Sequence, residues 1–343
     1  MYAPGRSVLD MKRLSALPID GFMLGILACV GLASVFPARG EVADLLGWAT
    51  RIAIAVLFLL YGARLEPREA LAGLRHWRLH LAVLSVTFVV FPVLGLALRI
   101  LAPSVLTQDL YTGVLFLCLV PSTVQSSIAF TSIARGNVAG AVVSASLSNL
   151  IGVFATPLLV VLLMSTTGKV EVRASTVLFI MVQLLLPFVI GQLLRPRLGW
   201  VLRRPAVLRS VDRGSVFLVV YAAFSAGVAE HIWGGVPPIR IVATAVVCAG
   251  LLAAVLTVTT VLGKLAGFTV ADRIVLVFCG SKKSLATGLP MASVLFAGQP
   301  VGLIVLPLMI FHQVQLLTCT VLAQRAARRA EVTASVPAAA LAV

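Results

Sequence analysis

"CGSKKSLATGLP", residues 279–290, places Lys282 and Lys283 side by side in one of the most apolar stretches of the chain, between ADRIVLVF (271–278) and MASVLFAG (291–298). Lys282 lies ten residues past Asp272, about 15 Å along a helix and close to the middle of a ~30 Å hydrocarbon core. A lysine at that depth costs about 2.5–3.5 kcal/mol to insert, and its stem does not easily reach either interface. Adjacent residues of a helix point about 100° apart, so the two ammonium groups cannot share one face of a regular helix. Gly280 and Ser281 before them, with Gly288 and Pro290 after, predict an interrupted helix whose freed backbone groups line a protected cavity. A structural role competes with a ligand-binding one without excluding it: one lysine could cap the carbonyls of the broken helix or pair with its opposite number in the fourth span.

Composition places the whole chain in the bilayer. Of 343 residues, 60% are hydrophobic and 11% charged, whereas soluble domains are about 25% charged. The 27 basic residues against 12 acidic ones fall in short clusters between apolar runs, with no basic face interleaved with aromatics, so nucleic acid is excluded as a partner. Cys29, Cys118, Cys248, Cys279 and Cys319 all lie in apolar segments at no metal-like spacing, and read as small buried hydrophobes. The first apolar run is long enough to span and shows no small-residue cleavage pattern, so it is expected to be retained.

At about 20 residues per crossing, ten spans are predicted, near 19–37, 46–64, 78–101, 110–134, 138–164, 174–194, 212–230, 240–264, 272–297 and 301–324. Nine or eleven stay open, because the fourth and ninth contain helix breakers. With the N terminus inside, the cytoplasmic segments hold nineteen Lys and Arg and the opposite side five, which predicts cytoplasmic termini and an even number of spans in a cytoplasmic (inner) membrane. DLYTGVLFLCLVPSTVQSSIAFTSIARGN (109–137) and DRIVLVFCGSKKSLATGLPMASVLFAGQ (272–299) are each acid-led and broken in the middle, and each is followed closely by another span. The expected organisation is a tail (1–18), a five-helix repeat (19–164), a second, inverted five-helix repeat (165–325) and a tail (326–343). Broken helices at corresponding positions of inverted repeats mark a transporter's binding site.

The polar groups inside the predicted spans are few. Every carboxylate falls in a loop, a tail or the last turn of a span, where it cannot serve as a mid-membrane proton relay. The fourth span supplies "PSTVQSSIAFTSIARG" (121–136), seven hydroxyl and amide side chains after a proline that removes a backbone donor. The fifth adds Ser144, Ser146, Ser148 and Asn149, as suited to helix packing as to a ligand. In "LMIFHQVQLLTC" (308–319), His312 and Gln315 share a helix face.

LYGARL (60–65), RHWRLH (75–80), VDRGSVFLVVYAAFS (211–225), GSKKSLATGLPM (280–291) and LPLMIFHQVQL (306–316), in this order, resemble the bile acid:sodium symporter superfamily, closest to its bacterial sodium-dependent transporter-like branch. The resemblance covers nearly all ten spans. It implies an all-α polytopic membrane protein of ten helices in two inverted five-helix repeats. A panel domain would come from helices 1, 2, 6 and 7 and a core domain from helices 3–5 and 8–10, with broken helices 4 and 9 crossing. In the family, sodium is held there by oxygens of helices 4 and 5 and by polar groups of helix 9, including a carboxylate. Carried over, these positions are Ser126, Ser127 and Asn149, with Ser281 to Ser284.

The sequence departs from that pattern, because its helix-9 stretch has two lysines and no carboxylate. A cation there would meet an ammonium, which puts sodium coupling in doubt; no other cofactor is expected. The reading is a secondary active transporter of a small organic anion, working by alternating access. Its substrate and ion site is expected among Thr123, Gln125, Ser126, Ser127, Asn149, Ser281, Lys282, Lys283, Ser284, His312, Gln313 and Gln315. No catalytic or metal-ligating set is visible, and the chain does not read as an enzyme. The alternative is a non-transporting membrane regulator of ion handling that keeps this fold and acts through the arginine-rich 195–213 segment.

Overall fold

The apolar runs carry too few polar residues for their helices to keep a solvated face, so lipid and neighbouring helices must share their surfaces. The computed structural model describes residues 21–64, 76–164, 174–231 and 236–335. The N-terminal tail, the first residues of the run at 19, Leu65, Arg75 and the end of the C-terminal tail lie outside these. Among the described residues there is no strand.

The helices are α1 (Gly21–Val35), α2 (Glu41–Arg64), α3 (Trp77–Leu101), α4 (Gln108–Leu119), α5 (Val124–Ile133), α6 (Val138–Met164) and α7 (Ala174–Leu194). There follow α8 (Gly199–Leu202), α9 (Pro205–Ala229), α10 (Pro238–Leu265), α11 (Val270–Gly280), α12 (Leu285–Leu295) and α13 (Val301–Ser335). Where described, the predicted apolar runs are mainly helical. Among the described residues, six helices are long and apolar enough to cross a membrane, namely α2, α3, α6, α9, α10 and α13 to Arg329; the α4–α5 pair, bent by 62°, makes a seventh if taken as one span. This is a multi-pass membrane protein. The last helix continues past the predicted span to Ser335.

Two groups of helices emerge from the packing. In one, α2 lies along α7, and α9 packs on both α1 and α2; the other comprises α3 to α6 and α10 to α13. They meet where α9 touches α12 and α13, and where α7 touches α6 and α12. At the centre of the second group the runs Val114–Val120 and Leu289–Ala292 are buried. Here α4 and α5 are separated by residues 120–123, and α11 and α12 by residues 281–284, the two breaks predicted from Pro121 and from the lysine pair.

Close approach explains why α2 and α7 pack so intimately. A Cβ at Gly62 would lie 1.9 Å from the Phe188 carbonyl oxygen, and one at Gly191 would lie 1.8 Å from that of Leu59. Two glycines thus let the backbones touch, as small residues do between membrane helices. Gly62→Val or Gly191→Val is expected to lower stability by at least the ~1–3 kcal/mol typical of overpacking. Gly31→Ala, whose Cβ would meet open space, should be tolerated. Melting of the purified variants in detergent, followed by size-exclusion chromatography, checks this.

Candidate functional site

A break in a buried helix strands carbonyls that must find donors. Around these two breaks the donors come mostly from the opposite break. Ser122 Oγ donates to the Cys279 carbonyl (2.6 Å) and Ser127 Oγ to that of Phe278 (3.0 Å), closing the C-terminal end of α11. The Ser284 amide donates to the Pro121 carbonyl (2.8 Å), and Thr123 Oγ1 to the Lys283 carbonyl (2.9 Å). Ser148 on α6 accepts the Ser122 amide (3.0 Å), while Thr156 on the same helix donates to the Leu119 carbonyl (2.8 Å). Gln315 serves the Lys283 peptide from both ends, accepting its N–H and donating to its C=O, each at 2.9 Å.

Lys283 completes the crossing. Its ammonium donates to the carbonyls of Cys118 (2.9 Å), Val120 (2.8 Å) and Thr87 (2.9 Å), and lies 4.0 Å from the Phe91 ring centroid. Three donors thus meet three acceptors, in a side chain with no solvent exposure. The Thr87 carbonyl is free for a local reason. Residues Val86–Val90 form a π-helical turn in which the Phe91 amide bonds to Val86, and the residue five positions after Thr87 is Pro92, which has no N–H to offer. Lys283 therefore pairs with the break in the fourth span, through Cys118 and Val120, the second of the structural roles weighed from sequence, and reaches the third span at Thr87 as well.

Lys282 leaves the break in a different direction. Its ammonium, equally buried, lies 3.7 Å from the centroid of Phe130 and has no hydrogen-bond acceptor among the described residues. Phe130, Phe278 and Cys319 belong to one apolar cluster there.

A cavity of ≈ 360 Å³ opens between the two helix groups. One wall is Phe22, Tyr61, Arg64, Phe188, Arg209, Asp212 and Arg213, from α1, α2, α7 and α9. The other has an apolar part (Val124, Leu150, Val153, Ala286, Leu316) and a polar part (Thr123, Gln125, Ser126, Ser146, Asn149, Ser284, Thr287, His312). Ser284 Oγ donates to Thr287 Oγ1 (2.9 Å), which donates to Asn149 Oδ1 (3.0 Å). Across the cleft, Tyr61 stands beside Thr287. Arg64 grips Asp212 with both terminal nitrogens, at 2.9 and 3.0 Å. Three guanidinium groups against one carboxylate leave this wall cationic.

Six of the twelve residues singled out from sequence line the cavity, namely Thr123, Gln125, Ser126, Asn149, Ser284 and His312. Ser127, Ser281, Lys282, Lys283 and Gln315 are buried behind its wall, and half-buried Gln313 does not reach it. Gln315 ties His312 to the crossing, its Nε2 lying 2.8 Å from His312 Nδ1. Tyr61, Arg64, Asp212, Arg213 and Thr287 were missed as site residues. Their signal lies in LYGARL, VDRGS and GSKKSLATGLPM, but from sequence Arg64 is a marker of orientation, Arg213 also part of the arginine-rich segment of the regulator alternative, and Asp212 one of the carboxylates outside the middle of a span. In fact α9 begins at Pro205, so Asp212 is already in its second turn.

Residues 20–328 match the family described as the SBF-like CPA transporter family (DUF4137). The chain belongs to this family. Its members are transporters, not enzymes. The chain is 53% identical to PA2026, an uncharacterised protein of Pseudomonas aeruginosa, over 93% of this chain and 96% of that one. It is 48% identical to YfeH of Escherichia coli, provisionally named a symporter, over 91% and 94%. Sodium/bile acid cotransporter 7 of Rattus norvegicus is 28% identical over 91% and 94%.

The two lysines should behave oppositely on neutralisation. Lys283→Met strands three carbonyls and is expected to cost about 3–5 kcal/mol, as when one partner of a buried pair is removed. Lys282→Met removes a charge that has no acceptor, and should leave the melting temperature unchanged or raise it. Parallel thermal melts of the two variants provide the check; a larger loss for Lys282→Met would reverse the assignment.

Proposed function

We propose that this protein is a secondary active transporter of a small organic anion, in which the Lys283 ammonium provides the fixed positive charge that relatives obtain from sodium. The cavity carries this reading: it is walled by both helix groups, floored by hydroxyl and amide groups, and cationic on one side. An organic anion would place its charge toward Arg64, Arg209 and Arg213, and its apolar body against Leu150, Val153 and Phe188. Alternating access would move the group α1, α2, α7 and α9, the panel, against the remaining core.

Ten spans in two inverted repeats fit this scheme. The two broken pairs match closely, with α4 and α11 of 12 and 11 residues and α5 and α12 of 10 and 11. Thr107 and Thr269 cap α4 and α11 in the same way, each accepting the amide three residues on. With the arginine-rich side cytoplasmic, both termini lie inside and the cavity faces the cytoplasm of an inner-membrane protein. Residues Ser126, Ser127, Asn149 and Ser281 to Ser284 correspond to the family's sodium positions, but Lys283 already saturates the carbonyls nearest the crossing. Sodium would have to compete with a charge held three ways.

Purified protein, melted against taurocholate and a series of aliphatic mono- and dicarboxylates in sodium or choline buffer, tests the reading. Stabilisation by at least one anion, equal in the two buffers, is expected, followed by uptake of that anion into proteoliposomes. Strictly sodium-dependent stabilisation would overturn the role of Lys283, and stabilisation by organic cations alone would overturn the substrate class.

A further inference from the structure

The arginines between α7 and α9, from Arg195 to Arg204, remain unused by the proposed transport cycle. Residues 195–209 hold five arginines and no acid. Arg197, Arg203, Arg204 and Arg209 are all exposed, and none has a carboxylate partner among the described residues. The acid nearest in sequence, Asp212, is held by Arg64. Among the described residues, then, no carboxylate neutralises these four arginines.

The apolar residues beside them define the setting. Leu193 is 74% exposed at the end of α7, and Trp200 on α8 is 58% exposed. The Arg204 guanidinium lies 5.5 Å from the Trp200 ring centroid. An exposed leucine and indole next to unpaired guanidiniums fit the boundary of a bilayer, where acyl chains lie on one side and phosphates on the other. A soluble anion would account for the arginines but not for Leu193 and Trp200.

We infer that the elbow at residues 195–209 is a docking site for the headgroups of anionic phospholipids, seated beside the cavity mouth through Arg209. Guanidinium forks bind phosphate oxygens in pairs. Leu193 and Trp200 enter the acyl boundary and hold the arginines at phosphate depth. The inference does not depend on the transported substrate.

Native mass spectrometry of the delipidated full chain, titrated with phosphatidylglycerol and with phosphatidylcholine, tests it. The triple variant Arg197→Gln, Arg203→Gln, Arg204→Gln spares the cavity wall, and Arg325→Gln, Arg328→Gln, Arg329→Gln removes equal charge from the end of α13. The protein should prefer phosphatidylglycerol and lose affinity about fivefold per elbow arginine removed, while the α13 triple stays near the starting value. The Arg→Lys elbow triple should retain most of the affinity, and the single Arg204→Gln gives a readout should the Gln triple fail to fold. Equal losses in both triples would reduce the effect to net charge and overturn the site. Equally tight binding of glycerol 3-phosphate would assign it to a free anion. Unchanged phosphatidylglycerol affinity in the elbow triple, with or without loss of a co-purifying protein, would also overturn it.

Discussion

The ammonium of Lys283 is the tie on which the interior rests. It joins α3 and α4 to the break before α12 through three carbonyls at 2.8–2.9 Å. Each carbonyl belongs to a place where the helical ladder cannot close, either the end of α4 or the π-helical turn of α3. In a low-dielectric interior an unpaired carbonyl is expensive, and so is an unpaired ammonium; together they stabilise one another. The hydroxyls of Ser122, Thr123 and Ser127 do the equivalent work in the other direction, so each broken helix is completed mainly by the other.

This arrangement separates support from recognition. Of the side chains that hold the crossing, Thr123 also lines the cavity, whose polar wall is otherwise Gln125, Ser126, Ser146, Asn149, Ser284, Thr287 and His312, while Ser122, Ser127, Lys283 and Gln315 lie behind it. The opposite wall comes from α1, α2, α7 and α9, of which α7 and α9 also touch α12. Arg64 and Asp212 brace α2 against α9, and Gly62 with Gly191 brings α2 onto α7. A rigid crossing facing a separately braced panel is the geometry that rocking one body against another requires.

Much of this was legible in the sequence, for definite reasons. Long apolar runs and their breakers located the helices, because backbone groups in lipid must be satisfied within the segment. Pro121 and the Gly280–Pro290 stretch located both breaks. The direction of each lysine was not legible, because adjacent side chains diverge and an interrupted backbone obeys no fixed rotation. Nor was the role of Thr87, which depends on a π-helical turn that periodicity does not reveal. Arg64 and Asp212 were visible as charges, but only the start of α9 at Pro205 brings them together.

The tie also bears on how the chain is made. The Val120 carbonyl and the Lys283 ammonium are 163 positions apart, so a ribosome finishes the acceptors long before it supplies their donor. Until then the half-built crossing must hold its carbonyls on water, lipid headgroups or the insertion machinery. When the lysine arrives, it enters the bilayer into a socket already waiting, and the last third of translation closes what the first half left open.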